Sequence, residues 1–131
     1  MSKVESAESL VSVVIPTRKR PHLVSRAVGS ALNQTLRAIE VIVVIDGPDN
    51  STRLVLEQID DPRLKVRMLS VHSGDGHARN AGVSEARSRW IAFLDDDDEW
   101  FPRKLELQLQ TARFSRCLYP VSYTHLRAHE T

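Results

Sequence analysis

Leu10-Val11-Ser12-Val13-Val14-Ile15 and Ile39-Glu40-Val41-Ile42-Val43-Val44-Ile45 are two short apolar runs, each closed by turn residues, Pro16 after the first and Gly47-Pro48 just past the second. Both are rich in β-branched residues and nearly continuous rather than alternating. That is the pattern of strands buried on both faces of a parallel sheet. Between them Pro21 opens a segment with Leu23, Val24, Ala27, Val28, Ala31 and Leu32 at helical spacing. Proline in a first helical turn loses no donor the helix needs. Together these stretches predict a β-α-β unit.

The alternation continues downstream. Ser51 or Thr52 is placed to cap a helix running through Ile59, with Asp61-Pro62 ending it. Leu64-Lys65-Val66-Arg67-Met68-Leu69 alternates in polarity and is expected near a sheet edge. Gly74-Asp75-Gly76 reads as a loop and His77 to Arg87 as a helix of small residues. Trp90-Ile91-Ala92-Phe93-Leu94 is a fourth buried strand, and a helix from Pro102 carries Leu105, Leu107 and Leu109. Strands alternating with helices predict an α/β domain with a mostly parallel sheet and right-handed crossovers.

The composition narrows the class. The 131 residues are 41% hydrophobic and 27% charged, enough for one globular domain with its own core. Eighteen basic against 17 acidic residues leave a net charge of +1, which gives no electrostatic case for nucleic acid or an anionic membrane as partner. Cys117 is the only cysteine, so no intrachain disulfide forms. With no signal-like start and no run of about 18 apolar residues for a membrane span, the expectation is a cytoplasmic location. The last dozen residues, from Tyr119, have no clear period and no evident element to pair with. They resemble translated sequencing-adapter read-through, so 117–131 is expected to be a non-native tail and 1–9 a flexible N-terminus. His125 and His129 have helical metal-pair spacing but no third ligand, and are not read as a site.

Ligands of an open parallel sheet bind beyond the carboxyl ends of its strands. Three strands deliver suitable residues there: Pro16-Thr17-Arg18-Lys19-Arg20, Asp46-Gly47-Pro48-Asp49, and Asp95-Asp96-Asp97-Asp98. A basic loop, a carboxylate and a carboxylate cluster on one rim suit a nucleoside diphosphate held through a divalent cation. Other acidic motifs fail. An EF-hand loop from Asp95 meets Trp100 where glycine is needed, and a phosphatase-type Asp-x-Asp-x-Thr meets Glu99 in place of threonine. Gly74 and Gly76 form no Gly-x-Gly-x-x-Gly or Walker pattern. Trp90 and Trp100 are read as packing residues, and His72 and His77 as loop and helix-start residues.

Five stretches then match one family in order: Val13-Val14-Ile15-Pro16-Thr17-Arg18, Glu40-Val41-Ile42-Val43-Val44-Ile45-Asp46-Gly47, Ala78-Arg79-Asn80-Ala81-Gly82, Ile91-Ala92-Phe93-Leu94-Asp95-Asp96-Asp97-Asp98, and Trp100-Phe101-Pro102-Arg103-Lys104-Leu105-Glu106. Over residues 10 to 116 the chain resembles the family 2 glycosyltransferases, which have the GT-A fold, a Rossmann-like α/β/α arrangement. The resemblance implies the nucleotide-sugar-binding half of such an enzyme, truncated before its acceptor half. It implies nucleotide contacts from Pro16, Thr17 and Arg18, a base or ribose contact from Asp46, and a nucleotide-side arginine at Arg79. Asp95 and Asp97 match the family's Asp-x-Asp motif, which implies Asp95 towards ribose and Asp97 as the metal ligand, with Asp96 counted among the substrate-binding residues. Asp98 assists or caps the following turn. The family's first acid before glycine is Ile45 here, so Asp46 serves alone.

The implied reaction is inverting transfer from a nucleoside-diphosphate sugar, with a UDP-sugar the expected donor and Mn²⁺ or Mg²⁺ the cofactor. The acceptor is unassigned, and the general base lies beyond this chain. Two alternatives stay open on the residues: a nucleotide-binding module without catalysis, and a nucleotidyltransferase, although the latter calls for a glycine-rich loop that 16–20 lacks.

Overall fold

A computed structural model describes residues 9–112 and 119–120; Cys117, His125 and His129 lie outside them. The elements run β1 (Val11–Thr17), α1 (Pro21–Leu32), β2 (Ile39–Ile45), α2 (Asn50–Glu57), β3 (Leu64–Met68), α3 (Asp75–Glu85), β4 (Trp90–Phe93), α4 (Lys104–Ala112) and β5 (Tyr119–Pro120). The sheet order is β3-β2-β1-β4-β5. The first four strands pair in parallel, so the expected α/β arrangement is borne out.

The two apolar runs become the two central strands, and every residue of both is buried. Side-chain alternation splits them between two cores. Val11, Val13 and Ile15 of β1 and Val41, Val43 and Ile45 of β2 pack with Val24, Ala27 and Val28 of α1, Leu56 of α2 and Leu105 of α4. Val14 and Ile42 point the other way, into smaller clusters with Val83 and Ala78 of α3. The continuous apolarity of β1 and β2 follows from helices on both faces. β3 alternates in sequence because it lies at the sheet edge, with most of its residues exposed.

Three details depart from the sequence reading. α2 is capped by Asp49, which accepts from Thr52 N–H, and not by Ser51 or Thr52. α3 starts at Asp75, so only Gly74 of the expected glycine loop lies outside the helix, at φ 100°. Tyr119–Pro120, expected to find no element, pairs antiparallel with Trp90 and Ile91, because the outer edge of β4 offers unpaired backbone groups. Among the described residues no helix is long and apolar enough to cross a membrane.

At the amino-terminal end of the sheet, Glu40 is buried but fully engaged. It accepts from Ser12 Oγ, from Lys65 Nζ at 2.7 Å and from Arg87 N–H at 2.7 Å. Burial pushes its carboxyl up, and these hydrogen bonds, Lys65 foremost, outweigh that and leave it below the usual carboxylate range. This cluster is structural and lies at the end of the sheet away from the acidic rim.

α3 approaches β1 closely because Gly82 has no side chain; a Cβ there would meet Val14 Cγ1 well inside contact distance. Val14 is fully buried and β-branched, with nowhere to turn. Gly82→Ala is therefore expected to destabilise the domain by about 1–3 kcal/mol, read as a lower urea midpoint; an unchanged midpoint would show that α3 can lift off the sheet freely.

Candidate functional site

Parallel pairing in register ends β1 and β2 together, Thr17 beside Ile45, while β4 ends three residues earlier with Phe93 beside Val14, and the segment after it runs on until Asp96 meets Thr17. The residues that follow share the mouth of the sheet. They line an open cleft of about 240 Å³ bounded by Pro16, Thr17, Arg18, Arg20, Asp46, His72, Asp75 and Asp96. Sites that enclose a small molecule run to roughly 300–1,000 Å³, so this cleft is smaller than such a site and open to solvent.

Two carboxylates in it are buried, and each is held by a different element. Asp96 accepts from Thr17 Oγ1 at 2.8 Å and from Arg20 Nη1 at 3.2 Å, which locks the acidic segment after β4 onto the end of β1. Asp46 accepts from the backbone N–H of Ser73 at 2.8 Å and of Gly74 at 3.0 Å. It thereby anchors the loop that leads into α3. His72 Nε2 lies 3.3 Å from Asp46 Oδ2. Gly47, at φ 108°, makes room for this, since a Cβ there would crowd the His72 backbone at 3.0 Å.

The remaining rim residues form a second tier. Arg79 reaches Asp75 with Nε at 3.3 Å and Asp95 with Nη2 at 3.5 Å. Its guanidinium lies 5.5 Å from the centre of the Phe93 ring, a cation–π contact that fixes its direction. Asp97 is exposed, met by Arg20 Nη1 at a loose 3.9 Å. Asp98 caps its own turn, accepting from Glu99 N–H at 2.8 Å. Trp90 and Trp100 pack against the larger core, in keeping with a structural role.

Five of the eight residues singled out in the sequence thus line one cleft: Pro16, Thr17, Arg18, Asp46 and Asp96. Arg79, Asp95 and Asp97 do not line it, and join it through the Asp75–Arg79–Asp95 chain and through Arg20. Sequence reasoning placed Arg20 in the basic loop without singling it out, set His72 aside as a loop residue, and missed Asp75. His72 had a usable signal, since it follows the carboxyl end of β3 by four residues and returns to the same rim.

Among the described residues, no three or more His, Cys, Asp or Glu converge into a ready-made metal cage. A cation of the Mg²⁺ type needs none, because it keeps several waters and takes one or two protein carboxylates beside substrate phosphates. Exposed Asp97, with hard oxygen donors and one distant guanidinium, fits that role.

Residues 12–125 match the Glycosyl transferase family 2 domain. The chain belongs to this family. A UDP-Glc:alpha-D-GlcNAc-diphosphoundecaprenol beta-1,3-glucosyltransferase of Escherichia coli is 36% identical over 76% of this chain and 40% of its own length. The succinoglycan biosynthesis protein ExoO of Rhizobium meliloti is 38% identical over 78% of this chain and 29% of its own. Among solved structures, residues 1–349 of S. aureus TarS in complex with UDP-GlcNAc superpose with a TM-score of 0.70 at 26% identity, covering 79% of this chain and 31% of that one. The fold is therefore the Rossmann-like GT-A fold, and as a family 2 member the chain is of glycosyltransferase lineage. It spans less than half the length of these curated relatives.

The basic loop of this family 2 domain is held from below. Lys19 has a left-handed backbone, φ 57°, which costs a non-glycine residue about 1–2 kcal/mol. Its N–H donates to Asp49 Oδ2 at 2.7 Å, and Asp49 also accepts from Thr52 N–H and Oγ1. Burial raises the Asp49 carboxyl, but the hydrogen bonds from Thr52 and Lys19 prevail and hold it below its ordinary value. A carboxyl lowered by folding contributes stability above its unfolded pKa, and that contribution is lost as pH falls through the folded value. Asp49→Ala is expected to cost about 1–2 kcal/mol at neutral pH. In urea titrations the gap to the parent should hold down to about pH 5 and narrow below about pH 4; a gap that widens in acid would contradict the assignment.

Proposed function

We propose that residues 10–116 are the nucleotide-sugar-binding half of an inverting, divalent-metal-dependent glycosyltransferase, with a UDP-sugar as donor. The observation that carries this reading is the meeting of Thr17, Arg18, Asp46 and Asp96 in one cleft beyond the carboxyl ends of β1, β2 and β4. The choice of UDP is supported by the donor named for the Escherichia coli relative and by the UDP-GlcNAc complex of TarS.

In this reading Pro16, Thr17 and Asp46 face the base and ribose. Asp46 accepts one bond on each oxygen, from Ser73 and Gly74 N–H, which leaves acceptor sites for the nucleotide while it fixes the loop carrying His72 beside it. Asp95 turns toward ribose with Arg79 as its partner. Arg18 and Arg20 stand where the diphosphate charge arrives. Asp96, already paired to Thr17 and Arg20, orients Arg20 rather than binding metal. Asp97 holds Mn²⁺ or Mg²⁺, which when bound supplies Lewis-acid stabilisation of the diphosphate leaving group. Inversion needs a base within hydrogen-bond reach of the acceptor hydroxyl. Among the described residues no group is assigned that role.

Calorimetry with UDP, with and without Mn²⁺, tests the assignment. For the parent chain Mn²⁺ should tighten UDP binding. Asp97→Ala should remove at least about tenfold of that gain, or ~1.4 kcal/mol, with unchanged circular dichroism. Equal Mn²⁺-dependent affinity in the parent and the variant would remove Asp97 from the site.

A further inference from the structure

The acidic segment 95–98 is fixed at its front by β4, where Leu94 N–H donates to Val14 O at 3.0 Å. Its rear is held differently, by a row of polar groups along α1 and just past its end. Arg26 Nε meets Glu99 Oε2 at 2.7 Å. Trp100 N–H donates to Ser30 Oγ at 3.1 Å. Gln34 Nε2 donates to Phe101 O at 2.7 Å, and Gln34 Oε1 accepts from Leu105 N–H at 2.9 Å. Thr35 N–H adds a bond to Pro102 O at 2.9 Å. Residues 26, 30 and 34 are spaced four apart and take up their partners in chain order.

Gln34 is the centre of this row. It is 0% exposed, and its amide is used at both ends, with Nε2 also reaching Ser30 O at 3.2 Å. A fully buried polar side chain is retained only where its bonds are made. Here they go to backbone: the Phe101 side chain is 86% exposed, so what Gln34 grips is the path of the main chain. The same helix begins at the basic loop, whose Arg20 touches Asp96 and Asp97. α1 therefore joins the two charged borders of the cleft as a strut.

We propose that Gln34 is a positioning residue, which acts through residues 99–105 to hold Asp95–Asp98 at the mouth of the sheet without touching ligand. The inference draws on the nucleotide-sugar reading for the purpose of that placement, and its local test does not depend on it. Gln34→Met keeps the volume and deletes all three bonds, including the two to Phe101 and Leu105. Ile42→Val thins the core on the opposite face of the sheet and serves as the stability control.

Hydrogen–deuterium exchange of the purified chain reads the segment directly. In Gln34→Met the amides of 95–105 should exchange faster by about tenfold or more, the scale expected for two lost hydrogen bonds. β1, β2 and α3 should stay near the parent, and Ile42→Val should show no such local change. UDP affinity in Mn²⁺ should fall by a similar factor. Unchanged exchange over 95–105, or an acceleration spread evenly over the domain, overturns the proposal, as does parent-like affinity beside a loosened segment. If the parent itself binds no UDP with Mn²⁺, the nucleotide-sugar reading fails, and the exchange comparison alone decides for or against the clamp. Should Gln34→Met not fold, Gln34→Glu replaces it. Protonated in acid, that carboxyl can donate to Phe101 O again, so its exchange ratio to the parent at equal pH should approach one as pH falls. A ratio that stays well above one at every pH counts against the clamp.

Discussion

Parallel pairing of β1 with β2 on one side and β4 on the other is the constraint from which the rest of the molecule follows. It fixes Thr17 beside Ile45 and Val14 beside Phe93, so β1 and β2 end together and the three residues after β4 carry Asp96 up to Thr17 on the same side. The apolar interior of these strands sets the register, because a one-residue slip would exchange the α1 face for the α3 face along an entire strand. Packing chemistry and site chemistry are thus separated along each strand: β-branched residues inside, then charge as soon as the sheet ends.

That charge is largely paired within the protein. Asp96 is bound to Thr17 and Arg20, Asp46 to the Ser73 and Gly74 amides, and Asp95 to Arg79. Such pairing gives the buried carboxylates, Asp46 and Asp96, partners in place of the water they lose. It leaves Arg18, Lys19 and Asp97, all exposed, as the rim charges whose side chains are least committed to the protein. Two cationic side chains and one carboxylate are thus offered to solvent at the same mouth. The near-zero net charge of the chain hides this local polarity.

Much of this was legible in the sequence because it rests on periodicity and punctuation. Continuous β-branched runs gave β1 and β2, Pro21 gave the start of α1, and polar alternation gave the edge position of β3. What escaped depended on tertiary contact. Asp49 looked like one more rim acid, yet it caps α2 and holds Lys19. His72 was set aside as a solitary histidine, but Gly47 and Asp46 bring it into the cleft. Gln34 carries no motif in the linear chain; its importance appears only when residues 67 and 71 positions away close on its amide.

A crystal of the chain grown with UDP and Mn²⁺, with data collected at a wavelength where manganese scatters anomalously, locates the cation without assumption. The anomalous peak should lie about 2.0–2.4 Å from an Asp97 oxygen, the range of hard-cation carboxylate bonds, and bridge to the diphosphate, with the uracil against Asp46 and Thr17. A manganese peak remote from Asp97, or a nucleotide bound away from the mouth formed by β1, β2 and β4, would contradict it.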